Sequence, residues 1–209
     1  MPFCICFGRQ YGSGGREIAS LVAKELGYRY LDKELMELSA EHGNISKETA
    51  AKIDERPTSS LLYSIATNAA PFSGNGTIGF HVPMNDRLYV AESEIIKKIA
   101  SEESAVFVGR CSDYFLRGKV PCMSVFVCGD KEHRVKRIMQ RRGCDEKKAT
   151  ELLTKTDKRR SSYYNFYTGR KWGQVQNYDL CIDSSVLGIE ETARLIAEVA
   201  RAFAKKCAE

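Results

Sequence analysis

Between residues 8 and 16 the chain reads Gly8-Arg9-Gln10-Tyr11-Gly12-Ser13-Gly14-Gly15-Arg16. Glycine tolerates positive φ and lets the backbone approach a ligand closely, so successive N–H groups in such a run can converge on one oxyanion. An apolar run, residues 3–7, precedes the segment. Ile18, Leu21, Val22 and Leu26 recur at helical spacing after it, until Gly27 ends the pattern. A glycine-rich turn between a buried strand and a helix N-terminus is a phosphate cradle, because the helix dipole adds to the pull of the amides. The turn departs from the Gly-x-x-x-x-Gly-Lys-Ser/Thr pattern, whose lysine reaches the outer phosphates and whose hydroxyl holds Mg²⁺. If Gly14 is the last glycine of that pattern, Gly15 and Arg16 stand at the lysine and hydroxyl positions; if Gly15 is, Arg16 and Glu17 do. Neither register restores the motif. Arg9 or Arg16 is left to supply the positive charge, and Ser13 is the candidate metal contact. The residues expected to hold ATP phosphates are Gly8, Arg9, Gly12, Ser13, Gly14, Gly15 and Arg16.

Most of the net charge of +5 arises between Arg134 and Lys171, which suits an anionic ligand. Arginines that close over a transferring phosphoryl group neutralise its spreading charge, and Arg137, Arg141, Arg159 and Arg160 are the candidates. The competing reading is a solvated helix face paired with Asp145, Glu146 and Glu151. Tyr163, Tyr164, Phe166, Tyr167 and Trp172 can stack on a base or simply pack. Aromatics among basic residues also suit single-stranded nucleic acid, but the charge surplus is modest and no nucleic-acid-binding motif occurs, so no such partner is expected. Eight cysteines are scattered, with no Cys-x-x-Cys spacing, and the three histidines show no ligand pattern. Reduced thiols, without a structural metal, are the expectation. Cys111 has no histidine near it in sequence to activate it.

These residues must be carried by a regular frame. Apolar runs at 3–7, 28–31, 105–108, 120–128 and 178–182 read as strands. Helical patterns fall at 33–41, 46–56, 85–100, 130–142, 145–167 and 189–207. Strands alternating with amphipathic helices require parallel crossovers. The expected fold is a three-layer α/β/α arrangement with a parallel sheet of about five strands, in a single domain spanning 1–209. Ligands of such sheets bind beyond the C-terminal strand ends, where the segments at Gly8, Asp32, Gly109 and Asp183 converge. Periodicity fades over 58–82, the expected mobile insertion, and the basic stretch 137–173 is the expected helical lid. No apolar run spans a bilayer and the N-terminus lacks a signal-peptide pattern, so a cytoplasmic protein with no membrane partner is expected; oligomeric state is left open.

The run from Gly8 to Ala19, then Leu26-Gly27 and Tyr30-Leu31-Asp32-Lys33-Glu34-Leu35, resembles the cytidylate kinase-like family. Val108-Gly109-Arg110-Cys111-Ser112-Asp113-Tyr114, Asp157-Lys158-Arg159-Arg160, Tyr163-Tyr164, Thr168-Gly169, Trp172-Gly173 and Tyr178-Asp179-Leu180 follow in the family's order. The resemblance covers essentially the whole chain and implies a P-loop kinase fold that uses ATP and Mg²⁺ on a nucleotide substrate. It implies acceptor binding by Asp32, Arg110 and Asp113, although Asp32 also reads as a helix N-cap. Arg16, Arg159 and Arg160 are the implied catalytic arginines, and CMP or a related nucleotide is the implied acceptor. Two alternatives stay open: a nucleotide-binding regulatory module without transfer, motivated by the missing lysine and hydroxyl, and a kinase of a different small acceptor, motivated by the 58–82 insertion.

Overall fold

The alternation along β1 (Cys4–Arg9) explains why the sheet is covered on both sides. Phe3, Ile5 and Phe7 face one layer, where they pack with Ile18 and Val22 of α1 (Gly15–Leu26) and Ile196 of the C-terminal helix. Cys4 and Cys6 face the other, with Leu35, Ile96, Phe107, Phe115, Tyr163 and Tyr164. A strand buried on both faces is what a parallel sheet between helical layers demands. In this computed structural model, which describes residues 1–57 and 82–208, five parallel strands lie in the order β2-β3-β1-β4-β5. The others are β2 (Arg29–Leu31), β3 (Ala105–Val108), β4 (Cys122–Cys128) and β5 (Leu180–Asp183). Register is continuous across the centre, with Ile5 opposite Val106 on one side and Met123 on the other.

Helices follow as α2 (Lys33–His42), α3 (Lys47–Ile53), α4 (Met84–Glu102), α5 (Ser112–Leu116), α6 (Lys131–Arg142), α7 (Glu146–Thr168) and α8 (Ser184–Ala208). Their starts are chemically marked: Ser46 accepts from the Thr49 amide, Asp130 from the Glu132 and His133 amides, and Asp145 from the Lys148 amide. α6 and α7 form a hairpin with a small core of its own, Val135, Ile138, Ala149 and Leu153, against which Tyr11 of the glycine loop packs. Further along, α7 is anchored to the main body through Tyr163 and Tyr164.

Three expectations need adjustment. β1 runs two residues past its apolar stretch, because Gly8 and Arg9 still pair with Phe126 and Val127 of β4. α5, of five residues, is too short to leave a periodic trace. α8 begins at Ser184, ahead of the apolar repeat, because Gly188 (φ 76°) breaks the helix and resets its face. The insertion expected over 58–82 lies, apart from Val82, outside the described residues. The eight cysteines are free thiols, and burial raises the Cys4 thiol to about 11, so it stays protonated. Among the described residues no helix is long and apolar enough to cross a membrane.

Candidate functional site

Parallel strands end on the same edge of the sheet, so the segments after β1, β2, β3 and β5 meet there, as the sequence implied. The glycine loop between β1 and α1 holds its shape by internal bonds and by a brace from the α6–α7 hairpin. The Gln10 amide donates to the Val127 carbonyl (3.0 Å), and the Tyr11 amide donates to the Asp157 carboxylate of α7 (2.7 Å). The other Asp157 oxygen accepts from Arg134 of α6 (2.7 Å), whose guanidinium also donates to the Tyr11 carbonyl (3.2 Å). Gly12 (φ 84°) and Gly14 (φ 77°) occupy left-handed backbone that a side chain disfavours, and a Cβ at Gly12 would meet the Arg134 carbonyl at 2.7 Å. Among the described residues the amides of Gly12, Gly14 and Arg16 have no hydrogen-bond partner, whereas those of Gly15, Glu17 and Ile18 are taken by the Ser13 hydroxyl and the Gly14 carbonyl.

A cleft of about 510 Å³ opens over this loop, walled by Gly12, Gly14 and Gly15 on one side. Facing them are Arg137, Arg141 and Arg142 of α6 and Arg159 and Arg160 of α7, with Arg9 and Arg16 at the floor. Among the described residues no carboxylate side chain lines it. Arg137 and Arg159 each bury an Nε with no hydrogen-bond partner among the described residues, although the far end of Arg137 pairs with Glu17. Buried donors left unpaired cost stability, and an anion between them removes that cost.

The expected site residues divide among three places. Gly12, Gly14, Gly15, Arg9, Arg16, Arg159 and Arg160 border the cleft, with Arg16 also held by Asp32 (2.6 Å). Gly8 does not; it lies within β1, and a Cβ there would meet Phe126 at 2.8 Å and Tyr178 at 3.1 Å. Ser13 is buried, donates its hydroxyl to the Gln10 carbonyl (2.9 Å) and accepts from the Gly15 amide (3.3 Å), so it faces the loop's own backbone. Asp32 sits at the start of α2 but makes no capping bond, because Arg16 takes its carboxylate.

Arg110 is buried behind the loop in left-handed backbone (φ 52°). It reaches Asp54 (3.0 Å), Glu92 (3.1 Å) and the Asp32 carbonyl (2.9 Å), and these neighbouring carboxylates raise its pKa despite burial. Asp113, the second residue of α5, is buried and accepts from the Tyr164 hydroxyl (2.7 Å); burial raises its carboxyl. Arg110 and Asp113 thus border a second, smaller cavity rather than the cleft, and Asp32 borders neither. The aromatic residues mostly pack: Tyr163 and Tyr164 are core, Tyr167 stacks on Tyr89 at 4.0 Å, and Trp172 meets Phe126 edge-on.

Two acids at this site, Glu55 and Glu92, carried no sequence signal, and a third, Asp157, carried none for its role. Glu55, just past α3, bridges Arg9 (2.7 Å) and Arg160 (3.1 Å). Burial opposes its charge, but Arg9, Arg160 and Arg110 together hold its carboxyl well below the usual range. Glu92 is fully buried on α4, and burial pushes it up to about 8 against the pull of Arg110, with Asp54 adding to the rise. Its ion pair with Arg110 and its raised pKa conflict only superficially: Arg110 is shared among several acids, and Glu92 Oε1 has no well-aligned hydrogen bond. Asp157 belonged to a quoted motif, yet its role as the loop's brace required the fold. Among the described residues no His, Cys, Asp or Glu group of three could hold a metal ion.

The sequence model of the cytidylate kinase-like family matches residues 4–186. The chain belongs to that family. No curated protein matches it. The crystal structure of an uncharacterized protein from Eubacterium ventriosum ATCC 27560 is 27% identical with a TM-score of 0.71, covering 95% of this cytidylate kinase-like chain and 98% of that one. Shikimate kinase from Acinetobacter baumannii, in complex with shikimate, is 11% identical with a TM-score of 0.50, over 97% and 94% of the two chains. Shikimate kinase from Bacteroides thetaiotaomicron is 10% identical with a TM-score of 0.52, over 95% and 98%. At those identities the likeness is one of fold, and the fold is that of the P-loop kinases.

Proposed function

We propose that this protein is a phosphotransferase that binds ATP on the loop from Arg9 to Arg16 and moves its γ-phosphate to CMP or a related nucleotide. The observation that carries this reading is the cleft over the glycine loop, walled among the described residues by seven arginines and no carboxylate. Its volume of about 510 Å³ suits a nucleotide-sized ligand. The unpaired amides of Gly12 and Gly14 and the orphan Nε groups of Arg137 and Arg159 fit a polyphosphate. Hairpin α6–α7, the core of the 137–173 lid, supplies the arginines that cover it and exclude water.

The same wall does not fit a Mg²⁺ held by the protein, because Ser13 is turned inward and among the described residues no acid borders the cleft. An ion carried on the nucleotide's own phosphates and water is compatible with it. A phosphate acceptor arrives already ionised, so no general base is needed, and positioning with charge neutralisation by Arg16, Arg159 and Arg160 carries the chemistry. Arg16 is engaged by Asp32 and Arg160 by Glu55, so binding a phosphate exchanges a carboxylate partner for a phosphate at each.

One observation favours a second reading, a nucleotide-binding module that does not transfer: the loop offers neither lysine nor a free hydroxyl. Calorimetric titration with ATP and CMP, followed by nucleotide chromatography of the same samples, separates the two. Formation of CDP that is lost in Arg159→Met supports transfer. Binding with no diphosphate from any common nucleoside monophosphate, with ATP or GTP, supports the module. Transfer only to a non-nucleotide in a metabolite mixture names a different acceptor. Absence of ATP binding sinks the reading of the loop itself.

A further inference from the structure

We propose that the acceptor carries an oxyanion, a phosphate monoester or a carboxylate, that binds between Arg9 and Arg160 in the place now held by the carboxylate of Glu55. The word acceptor rests on the kinase reading above; the anion site rests on geometry. The cavity that Arg110 and Asp113 border lies beside the cleft and shares Arg9 and Arg160 with it, so an anion there is adjacent to the nucleotide's phosphates. Tyr164 and Trp172 give it an aromatic wall. Its free space is about 20 Å³, room for roughly one water. An acceptor therefore enters only if a wall group leaves.

Glu55 is the group whose attachments suit departure. Arg9 is in a strand, Arg160 is within a helix of 23 residues and Arg110 is fixed by Asp54, Glu92 and the Asp32 carbonyl. Glu55 lies outside any helix or strand, in left-handed backbone (φ 51°) that a non-glycine residue adopts at a cost, and its carboxylate is what ties it down. Charge and donor counts point the same way. One carboxylate faces two guanidinium groups, and Arg9 keeps a buried Nε with no partner. Burial and the neighbouring Arg9 cation lower Arg160 to about 10, a sign of local positive surplus. A phosphate monoester brings more charge and three terminal oxygens, enough to satisfy both forks. Glu55 is on this account an internal competitor, and it lowers the apparent affinity by the fraction of molecules in which the place is free.

Inorganic phosphate and acetate are the probes, titrated against wild type and Glu55→Gln with the thermal midpoint as readout. Without probe the variant melts lower, because two buried arginines face each other unneutralised. Phosphate, acetate or both restore it and bind the variant at least roughly tenfold more tightly than wild type, as removal of a competitor that occupies nine molecules in ten requires. Response to acetate alone names a carboxylate acceptor. The response disappears in Glu55→Gln/Arg160→Met but persists in Glu55→Gln/Arg16→Met, which separates this place from the loop. Equal affinity in wild type and variant, no response to either anion, or a Glu55→Gln protein that stays unfolded in both anions overturns the proposal. Hydrogen exchange on wild type gives an independent reading: α3 and the turn through Arg56 lose protection as phosphate saturates, and unchanged protection counts against the idea. ATP titration of wild type reports on the nucleotide reading separately, so ATP binding without an anion response sinks this inference alone, and the reverse sinks the other.

Discussion

Asp157 performs two tasks with one side chain: it accepts from the Tyr11 amide and neutralises Arg134. Asp157→Asn keeps an acceptor for the amide but strands a guanidinium whose side chain is 8% exposed. Removing one partner of a buried pair costs about 3 kcal/mol or more, so urea unfolding of the variant should show a loss near that size. ATP affinity should fall with it as the loop loosens; an unchanged midpoint would contradict the brace. Glu92 offers a second test at this scale, through pH. Its folded pKa of about 8 lies above its ordinary value of 4.5, so the folded state holds the extra proton between those limits. Stability from this group is full below pH 4.5 and is lost as pH rises through 8, with a slope of up to ~1.4 kcal/mol per pH unit. Urea unfolding of Glu92→Gln between pH 5 and pH 8, set beside wild type, should lack that slope. Glu55, held low, works in the opposite sense, and its contribution is lost only as pH falls below the ordinary carboxylate range.

At the scale of elements, the loop is shaped as much by α6 and α7 as by the strand and helix it joins. At Gly12 a side chain would meet backbone, the Arg134 carbonyl at 2.7 Å, rather than a side chain that could give way. Gly12→Ala needs both a left-handed alanine and a retreat of α6, so ATP affinity should fall at least roughly tenfold, ~1.4 kcal/mol. Far-UV circular dichroism should stay native, since the strand, the helix and the hairpin core do not depend on that Cβ. Full affinity in this variant would mean that the loop does not approach the phosphates. The hairpin owes its local independence to its own apolar cluster, and its attachment to Tyr163 and Tyr164 near the far end of α7.

For the whole molecule, the decisive property is the separation of charge. Asp32, Asp54 and Glu92 gather behind the loop around Arg110, while the cleft in front is walled by arginine. Such a wall attracts a nucleotide whether or not a divalent ion accompanies it. ATP should therefore bind in EDTA within roughly tenfold of its affinity with Mg²⁺, a difference of ~1.4 kcal/mol or less, as calorimetry can measure. Affinity should weaken steeply with added salt, since the arginines at the cleft mouth are partly open to solvent and are screened over about 10 Å at 0.1 M. Loss of all binding in EDTA would instead require a protein ligand to Mg²⁺.

Local pattern was sufficient for the strands, the long helices and the glycine loop, because period, caps and terminating glycines are written within a few residues of one another. Alternating apolar strands and amphipathic helices implied a parallel, three-layer sheet, and a parallel sheet brings every strand end to one edge, so the convergence of the segments at Gly8, Asp32, Gly109 and Asp183 followed as well. The partners of the charged residues were beyond reach, since an arginine is the same letter whether it faces a ligand or a buried acid. Arg110 looked like a grip for a phosphate and is committed to Asp54, Glu92 and the Asp32 carbonyl. Asp32 looked like a cap and holds Arg16, Ser13 looked like a metal contact and closes its own loop, and Glu55 had no distinguishing signal at all. These assignments join residues as far apart as 105 positions, Glu55 to Arg160, and only the packing of α3, α4 and α7 around the sheet brings them within hydrogen-bonding distance.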